Sequence, residues 1–161
     1  MSAAVPAAVI TVSDRCARGE RADRSGPAAA AMLAEAGYDV APVVLIPDGQ
    51  DTVESAIRSA LARGTRVVLT TGGTGVSPRD LTPEGTARVL DRLLPGVAEQ
   101  IRRQDADDVP TAVLSRGLAG VAGHALVVNA PGSVGGVTSA VRVLLPLIRH
   151  LLDQLDGGDH A

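Results

Sequence analysis

Short apolar runs alternate with longer segments of helical periodicity along the first two thirds of the chain. The runs are rich in Val, Ile, Leu and Thr, which is the pattern of buried strands. They occupy residues 7–12, 40–46 and 66–70. Helical segments follow them at residues 25–36, 51–64, 82–94 and 97–104. Strand–helix units in succession predict a parallel sheet covered by helices. Pro42 predicts an edge position for the second strand, because proline cannot donate to a β-ladder.

The last third of the chain breaks this alternation. Residues 114–121 and 125–128 are strand-like runs separated by a Gly-His pair, which suits a tight hairpin turn. A long apolar helix follows, and Pro146 is expected to kink or divide it. The pattern predicts a single domain over residues 1–161. Its fold class is an α/β three-layer sandwich, with a mostly parallel sheet that gains one antiparallel strand from the C-terminal hairpin.

Composition removes several classes of function. Aromatic residues make up 1% of the chain, so the stacking platforms of many single-strand nucleic-acid binders are excluded. The net charge of −3 shows no basic excess, and we therefore expect no nucleic-acid partner. All 15 basic residues are arginine, which excludes a lysine nucleophile and a P-loop lysine.

The sequence also bears on the compartment. No apolar run has the length of a transmembrane helix, and the first residues do not form a signal peptide. The single cysteine, Cys16, excludes a disulfide framework and fits a reducing environment. We therefore expect a cytoplasmic protein that has no membrane partner.

A glycine-rich loop after the third strand carries the first sign of chemistry. Its residues are Thr71, Gly72, Gly73, Thr74 and Gly75. Glycine permits positive φ and close approach of a ligand, and free amides at the end of a strand can hold phosphate. A bare Gly-Gly-x-Gly is more often a simple turn. Arg79, Asp80 and a helix start with Thr82 as its N-cap favour a nucleotide or phosphate site instead.

Four predicted strands end in small, polar or glycine-rich loops, which begin at Ser13, Pro47, Gly72 and Asn129. Because ligands bind at the carboxyl ends of strands in open α/β sheets, these loops are expected to share one cleft. Asp48 and Asp80 would then face each other beside the phosphate cradle, an arrangement that suggests Mg²⁺. The alternative is that each aspartate only caps a turn or a helix. Arg116, at the start of the hairpin, either forks onto a phosphate or is a plain surface residue.

Taken in order, these motifs resemble the molybdopterin adenylyltransferase family, the MogA/MoaB-like fold that also forms the G domain of gephyrin. The resemblance covers almost the whole chain, and its most specific part extends from Thr71 to Glu84. Further matching segments lie at residues 10–15, 23–27, 46–48, 110–116, 120–123 and 129–133.

This resemblance implies that the terminal phosphate of molybdopterin attacks the α-phosphate of ATP and that pyrophosphate leaves. It implies that Asp48 and Asp80 are the two essential aspartates, which we expect to hold Mg²⁺. The nucleotide site is expected at Thr71, Gly72, Gly73, Thr74, Gly75 and Arg79. The molybdopterin site is expected at Ser13, Asp14, Ser115, Arg116, Asn129, Pro131, Gly132 and Ser133. The resemblance also implies a homotrimer and a downstream metal-insertion protein, which serves either a molybdenum or a tungsten pathway.

Two other functions remain open at this point. The first is a CinA-like nucleotide pyrophosphohydrolase, against which Thr74 and the Arg79–Asp80 pair argue. The second is a non-catalytic molybdopterin-binding or assembly module. A pure binding module would have no need of the pair Asp48 and Asp80.

Overall fold

The computed structural model of the chain describes residues 3–158, and within them seven strands form one sheet. The strands are β1 (Pro6–Val12), β2 (Asp39–Val40), β3 (Val44–Ile46), β4 (Val67–Thr71), β5 (Arg92–Leu93), β6 (Ala119–Ala122) and β7 (Ala125–Ala130). The helices are α1 (Asp14–Ala17), α2 (Ser25–Glu35), α3 (Gln50–Ala62), α4 (Thr82–Ala87), α5 (Pro95–Gln104) and α6 (Val134–Leu155), with a 3₁₀ helix at Pro110–Leu114.

The sheet is mostly parallel, as the sequence predicts. Its order is β2-β1-β4-β7-β6-β5, and β3 pairs with β1 beside β2. Strands β1, β2, β3, β4 and β7 pair in parallel, whereas β6 is antiparallel to both of its neighbours, β7 and β5. The single reversed strand therefore comes from the C-terminal hairpin, and the predicted fold class is confirmed.

Helices cover both faces of the sheet, and the sheet separates the hydrophobic core into two layers. On one face Val9, Leu69 and Val128 pack with α2, α5 and α6. On the other face Ile10 and Val68 pack with α3, and α4 lies beside α3. Strands that are buried on both faces consist almost entirely of apolar residues. This explains why β1 and β4 are recognisable in the sequence as continuous apolar runs.

The edges of the sheet differ from the prediction. The run at residues 40–46 forms two short strands rather than one, because Pro42 interrupts the ladder between β2 and β3. Both strands pair only with β1, so the predicted edge position is confirmed. At the opposite edge β5 lies where a helix was predicted. Helix α4 ends at Ala87, and the amides of Asp91 and Leu94, on either side of β5, donate to carbonyl groups of β6.

The hairpin and the last helix also differ from the prediction. The strand predicted from residue 114 begins only at Ala119, because Leu114 ends the 3₁₀ helix and residues 115–118 are irregular. The predicted turn is present, with Gly123 at φ +58°. Helix α6 continues through Pro146 without division.

By length and apolar composition α6 is long enough to cross a membrane, so the expectation that no segment reaches this length was wrong. Its residues Val137, Val141, Leu144 and Ile148 are buried in the protein core. Their packing against the sheet explains the apolar character of α6.

Candidate functional site

The ends of the central parallel strands bring four loops to one edge of the sheet. Thr71 is in register with Thr11 of β1 and with Ala130 of β7, so these three strands end side by side. Val12 is likewise level with Ile46 of β3. The loops after β1, β3, β4 and β7 therefore start at the same height, which is the expected location of a ligand site in such a sheet. We call this the carboxyl edge, and the opposite side the amino edge.

Glycine is required twice in succession in the loop after β4. Gly72 and Gly73 have φ of +101° and +67°, a region that other residues rarely adopt. A Cβ on Gly72 would collide with the carbonyl oxygen of Val12, and a Cβ on Gly73 would collide with Thr82 Oγ1. The hydroxyl of Thr82 donates to Gly72 O at 2.9 Å. Thr82 is thus the first residue of α4 and a brace for the loop, and not the predicted N-cap, which is Leu81.

Consecutive backbone amides in this loop have no acceptor among the described residues. Across residues 3–158, no hydrogen bond uses the N–H of Gly73, Thr74, Gly75 or Val76. The carbonyl groups in the same stretch are occupied, because those of Gly73, Thr74 and Gly75 accept from Thr82 or Arg116. A run of unpaired amides forms a concavity that binds anions. The loop therefore has the chemistry of a phosphate site.

Carboxylates border this loop. Asp14 and Asp48 exchange hydrogen bonds, since the amide of each donates to the carboxylate of the other at 3.0 Å. Asp48 Oδ1 lies 3.2 Å from the point that a Cβ on Gly73 would occupy. Asp80 Oδ2 accepts from the amide of Ser77 at 3.0 Å and lies 2.8 Å from the corresponding point on Gly75. The two sequence-predicted aspartates thus lie beside adjacent parts of one loop.

The electrostatics of the site follow from this crowding. Burial raises the pKa of Asp48, and the neighbouring negative charges of Asp14 and Asp80 raise this pKa further. The amide of Asp14 and the charge of Arg79 act in the opposite direction but do not cancel the rise. Arg79 Nη1 pairs with Asp14 Oδ2 at 3.3 Å. A perturbed carboxyl group beside unpaired amides is typical of functional sites.

The carboxylates fit a magnesium ion that arrives with a phosphate ligand. In residues 3–158 no group of three or more His, Cys, Asp or Glu side chains is arranged to enclose a metal. Mg²⁺ does not need such an enclosure, because it binds one or two carboxylates and completes its shell with phosphate oxygens and water. Asp48 and Asp80 each retain one carboxylate oxygen that makes no hydrogen bond within the described residues.

Two cavities flank the point where the loops after β4 and β7 meet. At that point Thr71 Oγ1 donates to Pro131 O at 2.7 Å, and a Cβ on Gly132 would lie 3.2 Å from Gly72 Cα. The first cavity has a volume of about 490 Å³, and its lining includes Thr74, Gly75, Ser115, Pro131 and Ser133. The second has a volume of about 420 Å³, and its lining includes Ser13, Arg21, Arg24, Gly72, Gly132 and Ser133.

The structure divides the residues predicted for molybdopterin between these cavities. Ser115 and Pro131 lie in the first cavity and Ser13 and Gly132 in the second, while Ser133 borders both. Asp14 lies with Asp48, on the side that the sequence assigned to nucleotide and metal. Ser13 and Ser133 also cap α1 and α6 with their hydroxyl groups.

Asn129 lines neither cavity. Its side chain is buried, and its amide nitrogen donates to Thr70 Oγ1 and Thr86 Oγ1, both at 2.9 Å. Its Oδ1 accepts from the amide of Leu118 at 3.0 Å. In this structure the side chain of Asn129 is engaged within the protein beneath the site, and its assignment as a molybdopterin contact stays a prediction. Arg116 is also absent from both linings, because its guanidinium group bonds to the glycine loop and to Glu84.

Sequence reasoning missed three contributors to this site. Arg21 and Arg24 line the second cavity, although the sequence showed only an arginine-rich loop. Arg102 donates to the carbonyl groups of Ser115 and Gly117 at 3.3 and 3.1 Å and so fixes the wall of the first cavity. Nothing in the spacing of Arg102 along α5 distinguishes it from an ordinary surface arginine.

Comparison with known proteins agrees with the sequence resemblance. A family described as a probable molybdopterin binding domain matches residues 8–150. A molybdenum cofactor biosynthesis bifunctional protein of Synechococcus elongatus is 37% identical over 159 residues, which are 99% of this chain and 50% of that protein. A molybdopterin adenylyltransferase of Helicobacter pylori is 35% identical over 154 residues, which are 92% of this chain and 86% of that protein.

A third relative carries a different name. The molybdenum cofactor biosynthesis protein B of Staphylococcus carnosus is 35% identical over 156 residues, which are 94% of this chain and 91% of that protein. The chain thus spans about half the length of the bifunctional relative and most of the length of the other two.

Among solved structures, a molybdopterin biosynthesis protein from Mycobacterium abscessus superimposes with a TM-score of 0.89 at 42% identity. The match covers 95% of this chain and 97% of that one. Fold and sequence therefore point to the same group of proteins.

Proposed function

This chain belongs to the family of molybdopterin binding domains, and we propose that it acts in molybdenum cofactor biosynthesis as a molybdopterin adenylyltransferase. The observation that carries the proposal is the loop at residues 73–76, whose unpaired amides lie between Asp48 and Asp80. Amides bind phosphate groups, and the two carboxylates suit a divalent ion that accompanies ATP.

In the proposed reaction a terminal phosphate oxygen of molybdopterin attacks the α-phosphorus of ATP. A new P–O bond forms as the bond from the α-phosphorus to the bridging oxygen breaks, and pyrophosphate leaves with the electron pair. Positioning and stabilisation of charge accomplish most of the catalysis in phosphoryl-type transfers. A site built from amides, carboxylates and arginines, without a covalent nucleophile, is consistent with this chemistry.

Each group of the chain has a role in this proposal. The amides of residues 73–76 bind phosphate oxygens of the nucleotide, and Arg79 adds a permanent positive charge near Asp14. Asp48 and Asp80 would hold Mg²⁺, which neutralises charge that develops on the phosphate oxygens. Ser133 borders both cavities, so two substrates bound on either side of it would bring their phosphates together.

The test is a turnover assay with purified molybdopterin and Mg-ATP. We expect pyrophosphate and adenylated molybdopterin in a 1:1 ratio, measured by a coupled pyrophosphate assay and by mass spectrometry. ATP alone and a chelated reaction are the controls, and both should release no pyrophosphate. Binding of molybdopterin without pyrophosphate release would instead favour a binding module. Hydrolysis of ADP-ribose would favour a pyrophosphohydrolase.

We also propose that the protein is a cytoplasmic homotrimer that passes its product to a metal-insertion protein. Support for an oligomer comes from large apolar side chains on the surface, which are costly to leave in water. Val109, Val113 and Leu114 are each at least 50% exposed in and beside the 3₁₀ helix, and Leu147 of α6 is 42% exposed. Sedimentation at micromolar concentration tests this proposal, and a folded monomer would refute it.

A further inference from the structure

Arg116 holds the glycine loop by hydrogen bonds to the carbonyl groups of the loop. Its backbone amide donates to Thr74 O at 2.8 Å, and its Nε donates to Gly75 O at 2.8 Å. Its Nη2 donates to Asp80 O at 2.6 Å, and its Nη1 donates to the carboxylate of Glu84 on α4. One residue, 36 positions away from Asp80 in sequence, thus contacts both ends of the loop and the helix that follows it.

We propose that Arg116 is a positioning residue for nucleotide binding and not a contact of molybdopterin. In this inference, which rests on the proposed adenylyl transfer, Arg116 fixes the direction of the loop amides and the place of Asp80. Its guanidinium group acts on the ligand only through these groups. This role would replace the contact with molybdopterin that the sequence resemblance implied for Arg116.

The geometry of the peptide bond supplies the first argument. In a trans peptide the carbonyl group and the following N–H point in opposite directions, and residues 3–158 contain no cis peptide bond. The carbonyl groups of Thr74 and Gly75 both point to Arg116, so the amides of Gly75 and Val76 must point away from it. These two amides belong to the unpaired set at residues 73–76. Arg116 thus orients two of the four unpaired amides of the proposed phosphate site.

The second argument is that the guanidinium group of Arg116 is already engaged by contacts within the protein. Its hydrogen bond to Glu84 raises the pKa of Arg116, and the same bond lowers the pKa of Glu84, so the pair is firmly ionised. All three guanidinium nitrogens already donate to protein oxygens. Only arginine carries donors in a fixed fork that reaches three separate acceptors. Lysine would keep the charge but would reach fewer of them.

The exposure of the ion pair determines what a variant should do to the fold. The side chains of Arg116 and Glu84 are 38% and 36% exposed. Ion pairs in contact with solvent contribute little to global stability. Substitution of Arg116 should therefore loosen the loop and leave the protein folded, which makes the proposal testable in solution.

The experiment compares Arg116→Gln, Arg116→Lys and Glu84→Gln with the wild type. Arg142→Gln is the matched control, because Arg142 is exposed on α6 and makes no ion pair within the described residues. Calorimetry measures the affinity for a non-hydrolysable ATP analogue with Mg²⁺ and, separately, for molybdopterin. Steady-state assays of active variants give kcat and the KM of each substrate.

We expect Arg116→Gln to weaken nucleotide binding by roughly 10- to 100-fold, the effect of losing hydrogen bonds from a charged donor. Arg116→Lys should not restore the affinity. Glu84→Gln should lose less nucleotide affinity than Arg116→Gln, because the hydrogen bonds from Arg116 to Gly75 and Asp80 remain. In all three variants the affinity and the KM for molybdopterin should stay within about twofold of the wild type, the usual scatter for sites without coupling.

Loss of molybdopterin affinity with intact nucleotide affinity would overturn the proposal, because Arg116 would then contact the pterin substrate. Equal affinities in Arg116→Gln and the Arg142→Gln control would also overturn it. A wild type that binds nucleotide without turnover refutes adenylyl transfer, yet the binding comparison still tests Arg116. A wild type that binds no nucleotide with Mg²⁺ at saturating analogue would overturn the proposal as well.

Discussion

The two edges of the sheet use glycine for different reasons. At the amino edge, Gly64 and Gly123 have φ of +85° and +58°, and a Cβ on either would meet nothing within 4 Å. At the carboxyl edge, Gly72 and Gly73 also have positive φ, but a Cβ on Gly72 would collide with Val12 of β1 and a Cβ on Gly73 with Thr82 of α4. The amino edge needs glycine only to turn the chain. The carboxyl edge needs glycine also because neighbouring residues leave no room for a Cβ.

The same edges differ in how they treat polar groups. At the amino edge, Arg66 donates to the carbonyl group of His124 and pairs with Asp156. At the carboxyl edge, the amides of residues 73–76 have no acceptor among the described residues, and Asp48 has a raised pKa. Crowded carboxylates are unfavourable for folding alone. The concentration of unpaired amides and crowded carboxylates at one edge is the feature that supports the proposed ligand site there.

The largest expected contrast between the edges is in turnover. Asp80→Asn keeps the shape of the side chain and removes the charge that would hold Mg²⁺. Because a catalytic metal supplies several kcal/mol, adenylyl transfer should slow by about 10²–10⁴-fold. Asp156→Asn removes a carboxylate at the amino edge that is 53% exposed, and it should leave kcat unchanged. Steady-state pyrophosphate release measures both. Similar rates in the two variants would refute the metal assignment.

A smaller contrast is expected between two glycines of similar backbone conformation. Gly73→Ala and Gly123→Ala both place a side chain at positive φ, which costs about 1–2 kcal/mol of stability. Only the new Cβ at residue 73 displaces Thr82 and approaches Asp48. Affinity for an ATP analogue should therefore fall at least ~10-fold in Gly73→Ala alone. Isothermal titration measures it, and thermal melts control for folding. Equal affinities would mean that the loop is only a turn.

The smallest expected effect concerns stability. The folded state raises the pKa of Asp48, so this group favours folding when protonated and opposes it once pH rises through the folded pKa. Asp48→Asn should therefore raise Tm at pH 7, by roughly 2–4 °C if the gain is about 1 kcal/mol. The gain should vanish below about pH 4, where the wild-type carboxyl group is also protonated.

The control for this stability prediction is Asp39→Asn, an exposed aspartate at the amino edge. Its Tm difference from the wild type should not depend on pH in this way. A stabilised, inactive Asp48→Asn variant would show that the carboxylate serves function and not folding.

The sequence predicted the centre of the sheet because burial on both faces leaves mainly apolar residues in β1 and β4. It did not predict β5, since two residues form a strand there only because β6 offers an edge. It also pointed to the glycine loop and both aspartates, which the structure brings close together. Asn129 bonds to Thr86 and Arg116 bonds to Glu84, partners 43 and 32 residues away, so these contacts required the tertiary structure.

The most direct test of this account is amide hydrogen exchange on the protein saturated with Mg²⁺ and a non-hydrolysable ATP analogue. Binding is first verified by calorimetry, so that saturation is known. The account predicts strong protection at Gly73, Thr74, Gly75 and Val76, and no change at Gly64 and Gly123 on the amino edge. Unchanged exchange at residues 73–76 in a verified complex, or protection centred on the amino edge, would contradict it.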